Sequence, residues 1–124
     1  MSTATQAPLE KFFTGFGPSR LIFDTLIQHV DSWGPCSTRI TKTQIVLSRR
    51  SPFAWVWIPE KHLGRTGAPL VLSINFAAKD DSPRWKQITQ VSASRWMHHL
   101  ELFTPGDIDG QALCWLRNVW NAAA

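Results

Sequence analysis

The sequence predicts an α+β fold: a two-layer sandwich in which a mostly antiparallel sheet of four to five strands carries an N-terminal and a C-terminal helix on one face. Two observations lead there. Apolar residues recur every three to four positions near each end of the chain, and every two positions between Ser37 and Phe103. At 124 residues, 44% hydrophobic and 18% charged, the chain has the length and composition of one globular domain with one core.

Residues 1–11 read as a flexible tail, because the first eight are small or polar and carry too little apolar surface to offset the entropy of ordering. The domain is expected over residues 12–121, with 122–124 as a short C-terminal end. Pro18 and Ser19 supply a helix start, and Ile22, Phe23, Leu26, Ile27, Val30 and Trp33 form an apolar stripe that Gly34 and Pro35 end.

Arg39 to Arg49 then reads as one long strand or a pair. Arg50, Ser51 and Pro52 turn the chain into a strand from Phe53 to Ile58, giving a hairpin. Further strands are expected at Leu70 to Ala77 and Arg95 to Phe103, while Asp80 to Val91 carries the weakest pattern. Thr104, Pro105 and Asp107 have the chemistry of a helix cap, and Ile108, Ala112, Trp115, Leu116, Val119 and Trp120 make the stripe of the second helix.

Strand alternation sorts the side chains into two sets. Thr43, Ile45, Leu47, Ala54, Val56, Ile58, Leu70, Leu72, Ile74 and Phe76 are expected to face the helices. Phe53, Trp55 and Trp57 then fall on the opposite face with Lys42, Gln44, Ser73 and Asn75, joined by His99 and Glu101. His98 is expected inward or near the sheet edge. The second face mixes indoles with amides, a lysine and a histidine, as ligand pockets and protein interfaces do.

The net charge is +4, and the excess is local: Arg39, Lys42, Arg49, Arg50, Lys61 and Arg65 accompany only Glu60 between positions 39 and 65. Such a span suits an anionic partner or a solvated face, and the absence of a dense basic run speaks against nucleic acid. Cys36 and Cys114 have neither metal-ligand nor redox spacing, which suits a reducing cytoplasm. No stretch of the sequence has the length and apolar character of a membrane span.

His98 and His99 point to opposite faces of a strand and cannot readily share an ion, so no metal is expected. No nucleophile elbow, phosphate loop or zinc-protease helix occurs, no catalytic residue is assigned, and no cofactor is expected.

Lys42-Thr43-Gln44-Ile45, Phe53-Ala54 followed by Val56 and Pro59, Arg95-Trp96 with His98-His99, and the closing Asp109, Trp115 and Leu116 together resemble a family of small uncharacterised bacterial domains. These are found alone or at the C-terminus of larger proteins, some labelled predicted transport proteins. The resemblance runs from about Phe12 to Asn121. It implies no activity, but draws attention to Lys42, Gln44, His98 and His99, polar residues at positions where apolar ones would pack as well.

The expected ligand-binding set is therefore Lys42, Gln44, Trp55, Trp57, Asn75, His98 and His99. The leading expectation is a non-catalytic binding module for a small ligand or a protein partner, a second copy of the chain included. The rivals are a small enzyme with a histidine acid or base, and a nucleic-acid accessory domain using residues 39–65.

Overall fold

The computed structural model describes residues 6–63 and 67–124. The long apolar stripe of the N-terminal region forms α2 (Gly17–Trp33), with Ile22, Phe23, Leu26, Ile27 and Val30 buried. Pro18 lies in its first turn. Ser19 does not cap the helix; it is buried, and its hydroxyl donates to the Pro69 carbonyl oxygen at 2.6 Å, tying α2 to the chain entering the sheet. Gly34 ends the helix at φ +148°, and a Cβ there would lie 3.2 Å from the Trp120 ring. Glycine is thus favoured by the backbone conformation, and the close approach of the Trp120 ring adds to the preference.

A shorter helix, α1 (Gln6–Phe13), precedes it. This corrects the flexible tail expected over residues 1–11: Leu9, Phe12 and Phe13 are buried against the core, so residues 6–11 are ordered by three side chains in eight positions. Residues 1–5 lie outside the described part.

Six strands follow, β1 (Ser37–Ile40), β2 (Ile45–Ser48), β3 (Pro52–Trp57), β4 (Leu70–Phe76), β5 (Gln87–Ser92) and β6 (Arg95–Leu102), in the order β1-β2-β3-β4-β6-β5 with antiparallel pairing throughout. The sheet thus exceeds the expected four to five strands. The span from Arg39 to Arg49 forms the pair, β1 and β2 parted by a tight turn, and the addition is β5, an exposed edge strand whose polar sequence gives little alternation. A short helix α3 (Pro59–Leu63) follows β3.

The register reproduces the expected inner face. Ile45 stands opposite Val56, Val56 opposite Leu72, and Leu72 opposite Leu100, while Leu47, Ala54, Ile74 and His98 form the next row. All eight are buried. The buried apolar residues of α1, α2 and the C-terminal helix belong to the same cluster as the inner strand residues, which places these three helices on one side of the sheet.

Phe53 departs from the expected outer set. The β2–β3 register shifts between Leu47 and Ser48, so Phe53 is bulged out of the ladder and turns into the core, where it is 3% exposed. Thr43, expected inward, lies exposed in the β1–β2 turn.

The second long helix, α4 (Gly110–Ala122), starts later than expected. Thr104, Pro105 and Asp107 cap a separate 3-10 turn (Pro105–Asp107), and Asp109 caps α4 by accepting from the Ala112 N–H at 3.0 Å. At the other end, the backbone N–H groups of Arg50 and Ser51 donate to the Ala123 oxygen at 2.8 and 3.2 Å. Arg49 Nη1 donates to the Trp120 oxygen at 2.9 Å, placing a cation at the negative end of the helix dipole. The chain end is therefore built into the fold, and Ala123 is buried.

Candidate functional site

The outer face of the sheet is set by the pairing that builds the inner one. Trp55 lies between Val46 and Ser73, Trp57 stands opposite Val71, and Ser73 stands opposite His99. Val46 and Val71 are buried, yet neither belongs to the helix-side core cluster. They are covered from the outer side, and the half-buried Trp55 and Trp57 are their immediate cross-strand neighbours. Asn75, Met97 and Glu101 on the same face are also half-buried. The result is an apolar strip with a few polar groups along it.

At its centre a hydrogen-bonded chain crosses three strands. Trp57 Nε1–H donates to Ser73 Oγ at 3.0 Å, and Ser73 Oγ lies 2.7 Å from His99 Nδ1. The arrangement that uses each group once has the serine hydroxyl donating to Nδ1, leaving the proton of the neutral imidazole on Nε2. Burial, with a smaller contribution from the neighbouring His98, pushes the His99 pKa below 6.5 and favours that neutral form. The Trp57 and His99 rings meet edge to face with centroids 6.3 Å apart.

A serine hydroxyl within reach of an imidazole has the geometry of a nucleophile and its base. Here Ser73 is only 2% exposed and its oxygen is already held by the indole, so the serine is placed to orient the imidazole rather than to attack a substrate. Among the described residues, no carboxylate is bonded to His99, and no group of three or more His, Cys, Asp or Glu is arranged to hold a metal ion.

The other expected site residues are dispersed. His98 is buried on the helix side, where its ring packs on Phe76 and Trp85 at centroid distances of 4.7 and 4.9 Å. Its Nδ1–H donates to the Trp96 oxygen at 2.8 Å and its Nε2 accepts the Asp80 N–H at 3.0 Å, so both nitrogens are used within the fold. Asp80 in turn accepts from Trp85 Nε1–H at 2.8 Å, a bond that holds its carboxyl below the usual carboxylate pKa. This His98 belongs to the latch on the β4–β5 connection.

Lys42 and Gln44 are not strand residues. They sit in the β1–β2 turn, which Thr41 pins by accepting the Gln44 N–H at 3.1 Å and donating to the Gln44 oxygen at 3.0 Å. Lys42 lines a separate cavity at that end of the sheet. The expected set thus divides into Trp55, Trp57, Asn75 and His99 on the outer face, His98 in the core, and Lys42 with Gln44 in a turn. Ser73, which links two of the outer-face residues, was visible beforehand only as a polar residue alternating with Leu72 and Ile74.

The basic span is also divided. The Arg49 guanidinium lies 3.5 Å above the Trp120 ring, and Lys61 Nζ–H donates to the Phe12 oxygen at 2.7 Å while lying 3.9 Å from that ring's centroid. Arg65 lies outside the described residues.

A family model described as a domain of unknown function, DUF5655, matches residues 10–123. The chain belongs to this family. The DUF5655 match takes in every strand and both long helices, and therefore the whole Trp57–Ser73–His99 chain. No curated protein and no solved structure matches the chain. None of the described helices is long and apolar enough to cross a membrane.

Proposed function

We propose that this DUF5655 domain is a non-catalytic binding module that recognises its partner on the outer sheet face, through Trp55, Trp57 and His99 with Asn75 at the margin. The observation that carries this reading is the Trp57–Ser73–His99 chain, which fixes an indole and an imidazole side by side on a face that α1, α2 and α4 leave uncovered. A fixed apolar surface with one oriented polar edge gives affinity and direction at little cost in side-chain entropy. The complementary occupant has a flat apolar surface for the indoles and an acceptor for His99 Nε2–H. It is a small ligand or the edge of a partner protein, and a second copy of the chain fits the same description.

The distance between Ser73 and His99 favours a second reading, a small enzyme using the imidazole as acid or base. The buried, indole-bound hydroxyl counts against a serine nucleophile. The engagement of Arg49 within the fold counts against a phosphate-tracking surface. A cytoplasmic setting accords with the two free cysteines, Cys36 and Cys114.

A thermal-shift screen with small aromatic compounds tests the reading, since a compound at a hundred times its dissociation constant adds about 2.7 kcal/mol of stability. Hits are expected to lose their shift in Trp55→Ala and His99→Gln while those variants remain folded. Sedimentation velocity of the same variants reports on a second copy as occupant. Shifts that persist in both variants, with an unchanged association state, would remove the outer face from consideration.

A further inference from the structure

Where β1 turns into β2 and β3 runs on into α3, at the Trp57 end of β3, α1, the β1–β2 turn and α3 line an open cavity of about 390 Å³. Its walls include the apolar groups Pro8, Phe12 and Ile40, and three lysines reach it from three different elements: Lys11 from α1, Lys42 from the turn and Lys61 from α3. We propose that this cavity is a binding site for a small organic anion. Its carboxylate or phosphate head is held by the lysines, and its apolar body lies on Pro8, Phe12 and Ile40.

Charge is the first argument. No acidic residue is among the described groups lining the cavity, and among the described residues none of the three lysines has an ion-pair partner. Three ammonium groups gathered around one concavity repel one another and raise the local potential, an arrangement that an anion relieves. Lys61 is already drawn inward by the Phe12 oxygen and ring, and burial pushes its pKa below the ordinary lysine value. A bound anion would favour the charged form that burial disfavours.

Shape and rigidity are the second. The volume lies near the lower end of the range for small-molecule sites, which sets the ligand at the size of a single substituted ring or short chain. Lys42 projects from a turn locked by Thr41, and Lys11 from a helix anchored by Leu9 and Phe12, so both cations sit on backbones that are already ordered. The apolar walls distinguish the site from one for a bare inorganic ion, which would gain nothing from Phe12 or Ile40.

Titration of the protein with phenyl phosphate, benzoate and inorganic phosphate, followed by two-dimensional amide NMR, tests the proposal. The two aromatic anions are expected to give saturable shifts at Ile40, Thr41 and Lys42, and to bind at least about tenfold more tightly than inorganic phosphate. Which aromatic anion is preferred reports whether the head is a phosphate or a carboxylate. Lys42→Gln and Lys11→Gln change exposed side chains and are each expected to weaken binding about fivefold to tenfold, and Lys79→Gln, an equal charge change at an exposed lysine outside the cavity lining, not at all. Shifts confined to other residues, no saturation by any of the three probes, or affinities unchanged in the Lys11→Gln/Lys42→Gln double variant would overturn it.

Discussion

Ser73 Oγ stands 2.7 Å from His99 Nδ1, and the same oxygen accepts the Trp57 indole proton at 3.0 Å. Two residues adjacent on paired strands thereby orient each other on the side of the sheet that faces away from the helices. The consequence for His99 is electrostatic: burial, and secondarily His98, lowers its pKa below 6.5, so the folded protein holds that proton less readily than the unfolded chain.

The sign of the pH dependence follows. Between the folded and unfolded pKa values the unfolded state binds more protons, so stability rises with pH there. This contribution is fully present above about pH 6.5 and is lost as pH falls through the folded value. Denaturation midpoints for the parent and His99→Gln between about pH 5 and pH 7.5 should show a shallower slope in the variant. Equal slopes would mean that the ring is not the titrating group.

The two faces differ in what truncation does. Ile45, Leu72 and Ile74 are at most 1% exposed and lie in the helix-side cluster, so each change to alanine should cost about 2–5 kcal/mol. Met97→Ala on the half-buried outer face should cost distinctly less. Urea denaturation of the four variants checks the contrast, and a reversed order would exchange the faces.

Arg49 combines a guanidinium 3.5 Å above the Trp120 ring with a hydrogen bond to the oxygen of the same residue. Arg49→Ala should therefore destabilise the fold by about 1–3 kcal/mol, through the lost cation–π contact and the freed carbonyl. It should leave any low-salt affinity for RNA or DNA unchanged. A loss of nucleic-acid affinity with no loss of melting temperature would give the side chain a surface role instead.

How far the sequence reached depended on whether a residue's role was local or tertiary. The inner face was legible because Ile45, Val56, Leu72 and Ile74 alternate with the residues between them. The same alternation placed Trp55, Trp57, Asn75 and His99 together on the outer face. Phe53 escaped it because one bulge reverses the parity of a strand, and nothing in Arg50-Ser51-Pro52 specifies that bulge. Lys42 and Gln44 continue the alternation in sequence but lie in a turn formed by Thr41. Gln6 to Phe13 forms a helix because the core accepts Leu9, Phe12 and Phe13, a requirement that becomes visible only when the remaining elements are assembled. The cavity shared by Lys11, Lys42 and Lys61 joins residues fifty positions apart by fold alone.

His98 and Asp80 carry a prediction about the β4–β5 connection. Substituting phenylalanine at position 98 keeps a ring against Phe76 and Trp85 but leaves the Asp80 N–H and the Trp96 oxygen without their partner. Each buried group left unsatisfied should cost about 1–3 kcal/mol. Amide exchange at Asp80 and Ser82 in His98→Phe should accelerate more than exchange in β2 or β3, since those strands do not touch the latch. Uniform acceleration would point to global destabilisation alone.

The Trp57–Ser73 bond yields the last prediction, and it separates an energetic link from mere proximity. Trp57→Phe keeps an aromatic ring but removes the indole donor, while Ser73→Ala removes the shared oxygen and leaves both the indole N–H and His99 Nδ1 to find other partners. If the hydrogen bond contributes as an ordinary buried one does, a double-mutant cycle should return a coupling of about 1 kcal/mol. Ser73→Ala should in addition shift the His99 titration followed by NMR, because the hydroxyl that meets Nδ1 is gone, whereas Trp57→Phe should shift it less. That difference follows from the order of the chain: the serine touches the imidazole through a bond, the indole only through the serine and an edge-to-face ring contact. A coupling indistinguishable from zero, together with an unmoved His99 titration in Ser73→Ala, would show that the three side chains are neighbours without acting as one unit.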